Sequence, residues 1–244
     1  MRIFYKIWIA YIRFINSLRF KKLYSKYKIV PFGCYCLPRV ITKHNRLKPS
    51  KKQGEESFPF DLCFSKFDTN VKLLCSGFDG FYDGFEYDTN DTFRKCWSNR
   101  RIDMVCNHDT MPTLDEFKQR YDNRIKNLYD IIKNQNKHVF FLIADKTPIE
   151  NDALNLFIHE IKKYRHEQTF TVIIINQSNR VAKYTQQNVF CLDLSNDIHF
   201  AKINTIGDWE GEISHTKTMH AMLFNSKINR TIARIIRLKL KTQR

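Results

Sequence analysis

The chain has 244 residues, 43% of them hydrophobic, enough to bury a sizeable core within one domain. Its net charge of +16 would suit a nucleic-acid binder, but eight of the 41 basic residues lie in 1–28 and eight from 216 onward, both stretches lacking acidic residues, so the 25 left in the interior balance all 25 acidic ones. Seven cysteines, an odd number in a chain this long, argue against a secreted disulfide scaffold and read as reduced thiols of a cytoplasmic protein.

In chain order, residues 2–20 place Arg2, Lys6, Arg13, Asn16 and Ser17 on one arc of a helical wheel, with Ile, Phe, Tyr, Trp and Leu around most of the rest. This is a basic amphipathic helix, suited either to an anionic membrane surface or to packing on a core. Lys6 and Arg13 interrupt the apolar run, so neither an export signal nor a membrane span is expected. Short β-branched and aromatic runs then alternate with helical stretches, the pattern of parallel strands joined by crossover helices. Strands are expected at 28–32, 102–106, 138–144, 170–176 and 189–194, and helices at 37–43, 67–75, 114–134, 152–165 and 215–240. Residues 79–98, aromatic, acidic and punctuated by Gly80 and Gly84, read as loop or a short hairpin. The expected fold class is α/β: a single three-layer domain with a mostly parallel central sheet and flanking helices over 28–214. Basic amphipathic helices are expected at both termini, 1–27 and 215–244, where they would together flank one docking face.

Chemistry concentrates at Val30-Pro31-Phe32-Gly33-Cys34-Tyr35-Cys36-Leu37-Pro38, an expected strand-to-helix turn. Ligands in α/β folds bind beyond the carboxyl ends of strands, and a helix N-terminus favours a thiolate. Cys36 is therefore the candidate nucleophile; the alternative is that Cys34 and Cys36 are small buried hydrophobes. Neither a second close cysteine pair nor a His-x-His motif completes a zinc set, and seven glycines build no phosphate loop. A cysteine nucleophile needs a base. His108 follows the strand ending at Cys106 and would share an edge with Cys36 if both strands ran in one parallel sheet. Asp109 beside it, or Asp61 in the Phe58-Pro59-Phe60-Asp61 turn, is the expected orienting carboxylate; a His-Asp pair at a helix start is also a common cap. His215 with Asp208 is the reserve base and orienter.

These residues resemble a bacterial family of uncharacterised domains named for papain-like cysteine peptidases. The shared pattern is a strand leading to Gly-x-x-Cys (Gly33 to Cys36), a Pro-Phe-Asp turn (Pro59 to Asp61) with Ser65 behind it, a His-Asp step (His108-Asp109) and Arg120-Tyr121-Asp122-Asn123-Arg124-Ile125 on a helix. It covers roughly residues 28 to 145. Leu62 stands where the family usually has Trp, and Pro31-Phe32 replaces its usual Ser-Leu.

The resemblance implies a thiol hydrolase or peptidase acting on a peptide or glycan. Similar arrangements occur in acyltransferase-like proteins of bacterial surface polysaccharide biosynthesis, which work on the cytoplasmic side of the inner membrane. In that reading coenzyme A is the donor, its phosphates met by Arg100, Arg101, Arg120 and Arg124; otherwise no cofactor is expected. A third reading is a non-catalytic protein docked through its ends, with anionic membrane favoured over nucleic acid because the N-terminal basic residues interleave with Ile, Trp and Phe.

Overall fold

In a computed structural model that describes residues 2–88, 96–145, 147–177, 184–194 and 219–241, the long apolar runs form one four-stranded sheet. Its order is β1 (Tyr27–Pro31), β5 (His138–Asp145), β6 (Phe170–Asn176) and β7 (Val189–Asp193), and every neighbouring pair is parallel. β5 and β6 are buried almost throughout, which is why their sequences read as unbroken apolar runs and not as alternations.

Successive side chains leave a strand on opposite faces, and the aromatic contacts show what covers each. On one face Phe32 packs against Phe67 of α3 (Phe67–Cys75), and both Phe32 and its neighbour Phe141 pack against Phe157 of α5 (Asn151–Lys162). On the other, Tyr27 packs against Phe140 and against Phe20 of α1 (Arg2–Lys21), and the Tyr27 hydroxyl donates to Leu47 O just beyond α2 (Leu37–His44). The C-terminal helix α6 (Met219–Lys241) lies on the same face as α1: Asn16 donates to Asn229 Oδ1, and Lys239 covers the Phe190 ring. Helices on both faces of a parallel sheet give the three layers expected. Phe20, Ile228, Ile232 and Ile236 belong to the same core as the sheet, so both terminal helices are anchored to it.

One expected strand lies elsewhere. The 102–106 segment contributes β4 (Met104–Cys106), which pairs antiparallel in a separate three-stranded sheet with β2 (Phe85–Asp88) and β3 (Cys96–Asn99). Only four residues separate Asn99 from Met104, and a parallel return needs a crossover of about a dozen. The hairpin reading of 79–98 holds for β2 and β3. β4 is tied to the rest by a two-bond bridge, Phe64 N to Val105 O and Val105 N to Phe64 O, both 2.8 Å. Helix α4 (Leu114–Lys133) follows, its N-terminus capped by the Thr113 hydroxyl, which accepts from Glu116 N. Its last carbonyls, at Ile131 and Ile132, accept from the buried Arg165 guanidinium.

Candidate functional site

The loop between β1 and α2 carries both cysteines and is fastened at every residue that precedes them. Phe32 N and Cys34 N extend the β1 ladder to Leu142 O and Ala144 O. Gly33 O accepts from Asn70 Nδ2, and Cys34 O accepts from Ser65 N. Gly33 is required sterically, because a Cβ there would meet Pro38 Cγ at 2.6 Å. This fixes the approach of the chain to α2, whose N-cap is Cys36 and whose first turn contains Pro38.

The two thiols have different surroundings. Cys34 Sγ donates to Asp145 Oδ2 at 2.8 Å, and burial, reinforced by that carboxylate's charge, pushes the thiol far above its ordinary pKa. Cys63 is pushed up to about 12 by burial, Cys191 to about 11, and Cys106 and Cys75 also upward, chiefly by burial. Cys36 sits at the N-terminus of α2, where the helix dipole favours an anion, and within Coulombic reach of Arg39 one turn on. It is only 3% exposed.

Two buried ionic clusters lie beside this turn. Arg39 pairs with Asp61 and with Glu55, 3.1 Å away, and Glu55 in turn with Lys48 at 2.7 Å. Burial pulls Lys48 down to about 8, with the Arg39 charge acting in the same direction and Glu55 opposing both. The second cluster is built on Asp109, which is fully buried. Arg124 grips it with two bonds, at 2.8 and 2.9 Å, Arg120 adds one at 3.0 Å and the Tyr121 hydroxyl one at 3.1 Å. Both carboxylates singled out from the sequence therefore face arginines: Asp61 Oδ2 takes Arg39, while its buried Oδ1 has no hydrogen-bond partner.

His108 is exposed and lines an open cleft of about 930 Å³, together with Arg39, Leu62, Met111, Arg120 and Arg124. Among the described residues, Leu62 and Met111 are the apolar part of the lining, and polar or charged side chains make up the rest. Cys36 is not among the residues that line this cleft, and His108 reaches the cleft by a route the sequence did not show. Its strand is not in the parallel sheet with β1, and the Phe64–Val105 bridge is what places it beside the Asp61 turn. Of the four arginines considered for coenzyme A, Arg120 and Arg124 line the cleft but already hold Asp109, whereas Arg101 is bonded to Gly80 O. His215 and Asp208 lie outside the described residues. Among the described residues no group of three or more His, Cys, Asp or Glu is arranged to hold a metal ion.

Sequence reasoning missed Arg39, Asn70 and Asp145. Arg39 carried a usable signal, since position i+3 from an N-cap cysteine lies over the same turn. Asn70 and Asp145 carried none, being distant in sequence from the loop they hold. No family model, curated protein or solved structure matches the chain.

Proposed function

We propose that the protein is a thiol hydrolase in which Cys36 is the nucleophile and His108 the general base. The observation that carries this is Arg39: it lies one helical turn from Cys36 on α2 and forms part of the cleft that His108 lines. The resemblance to the papain-like peptidase family supports the same pair. His108 accepts the Cys36 proton, and the thiolate attacks a carbonyl carbon to form a thioester. His108 returns the proton to the departing amine or alcohol, and water, deprotonated by His108, releases the acid and the thiol. The α2 N-terminus and Arg39 favour the thiolate, while Asp61 and Asp109 act one step back by holding Arg39 and Arg124. A polar lining suits a peptide or glycan, and a glycan hydroxyl in place of water would turn the same thioester into the donor of an acyl transfer.

The test is alkylation of Cys36 by iodoacetamide as a function of pH, mapped by peptide mass spectrometry in the native protein and in His108→Ala. The expected result is a thiolate titrating well below the free-cysteine value of about 8.5 and moving back toward it in the variant, with Cys34 in the same peptide unmodified. An unreactive Cys36, or one indifferent to His108, overturns the proposal. Leu62→Trp restores the residue the family usually carries at a position that opens onto the cleft. It is expected to slow Cys36 modification by bulky maleimides severalfold while leaving iodoacetamide rates nearly unchanged.

A further inference from the structure

The outer face of α1 is apolar. Ile7, Trp8, Tyr11, Phe14 and Leu18 are each between 49% and 61% exposed, and they account for most of the exposed large hydrophobic side chains among the described residues. Ile7, Tyr11, Phe14 and Leu18 follow the spacing of a single helical stripe, with Trp8 at its side, 6.2 Å from Tyr11 between ring centres. The opposite face is the one that holds the helix to the protein: Arg13 bonds His44 O, Asn16 bonds Asn45 O and Asn229, and Phe20 enters the core. The stripe is therefore presented to the outside by a helix that is itself fixed, and it runs for about 16 Å at 1.5 Å per residue.

Next to it, in contact through Asn16 and Asn229, α6 turns a basic face outward. Lys227, Arg230, Arg234, Arg237 and Lys241 are all exposed and recur at three- and four-residue steps, while Ile228, Ile232 and Ile236 point into the core. Arg19 and Lys21 of α1 are exposed as well, and neither helix contains an acidic residue. We propose that α1 and α6 together form a peripheral docking face for an anionic phospholipid bilayer, with the α1 stripe lying in the interface and the α6 cations meeting the headgroups. Charge complementarity selects anionic lipid, and Trp and Tyr are the side chains that settle at headgroup depth. Single-stranded nucleic acid would use the cations and the rings but leave Ile7 and Leu18 exposed to water. Among the described residues no helix is long and apolar enough to cross a membrane, which leaves the helix lying along the surface.

The experiment is co-sedimentation of the full chain with vesicles of phosphatidylcholine alone and of phosphatidylcholine mixed with phosphatidylglycerol, followed by tryptophan quenching with brominated lipid. Binding is expected only to the anionic vesicles, with quenching that disappears in Trp8→Phe. Phe14→Glu with Leu18→Glu should abolish partition. Arg234→Gln with Arg237→Gln should lower it about thirtyfold, the factor for two charges near an anionic surface; thermal melts confirm that each variant stays folded. The proposal is overturned by failure to bind anionic vesicles or by equal binding to neutral ones. A dimer in sedimentation velocity that Phe14→Glu dissociates would instead assign the stripe to a second copy of the chain. Binding to a single-stranded oligonucleotide in the absence of vesicle binding would assign it to nucleic acid.

Discussion

Replacing Asp109 by alanine is expected to lower the unfolding free energy by about 3–5 kcal/mol, the range for removing one partner of a buried charge cluster. Asp109 is fully buried and neutralises Arg124, whose side chain is 8% exposed, so the substitution leaves a guanidinium in the protein interior with neither its charge nor its two strongest hydrogen bonds met. Tyr121, also buried, loses a bond from its hydroxyl. For a chain of this length the loss corresponds to a fall in Tm of about 10 °C. Arg120→Ala serves as the comparison. Arg120 makes one bond to the same carboxylate but is 49% exposed, so its removal should cost less than about 1 kcal/mol. Urea unfolding of both variants decides the matter. If Asp109→Ala were as mild as Arg120→Ala, Asp109 would not be the centre of a structural cluster, and a direct role beside His108 would gain weight.

The second large effect depends on pH. His138 opens β5, buried, with Nε2 2.9 Å from Thr171 Oγ1, and burial, aided by the charges of Arg165 and Lys239, pulls its pKa down to about 4. Between about pH 6.5 and 4 the folded protein keeps this ring neutral while the unfolded chain protonates it. The unfolded state then binds more protons, and stability falls as pH falls through that window. From pH 7 to 4.5 the loss from this one group should be about 2 kcal/mol. His138→Gln, which keeps a polar atom for Thr171, should flatten that part of the profile. Urea midpoints at pH 7, 5.5 and 4.5 for the two proteins measure it, and parallel profiles would show that His138 does not set the acid limit.

The parallel sheet was legible because its strands are buried on both faces. A run such as Thr171 to Ile175 has no room for polar alternation, and the helices between runs leave only parallel return paths. The same logic failed for β4. Three residues carry too little pattern to say which sheet they join, and the loop lengths around them, not their own sequence, decide the pairing. The amphipathic character of α1 was equally visible, but its orientation was not. The periodicity of an isolated helix separates an apolar face from a polar one without saying which of them is covered, and here the polar Arg13 and Asn16 bond inward while Trp8 and Phe14 face out.

At the candidate site the residue types were written in the sequence and their partnerships were not. Gly33 to Cys36 before Pro38, Asp61 in its turn and the His108-Asp109 step all stand out because such residues are costly unless placed for a purpose. Whether Asp109 faces His108 or Arg124 depends on where α4 lies, and α4 is positioned by core contacts such as Phe117 against Trp97 and Tyr121 against Phe81. Local pattern thus determined the elements, the thiol-bearing turn and the segregation of charge to the ends, because burial and helix periodicity act on neighbours in the chain. Only the tertiary structure decided which buried charges pair, which sheet the strand before His108 joins and which side of α1 faces out, because those depend on contacts between segments far apart in sequence.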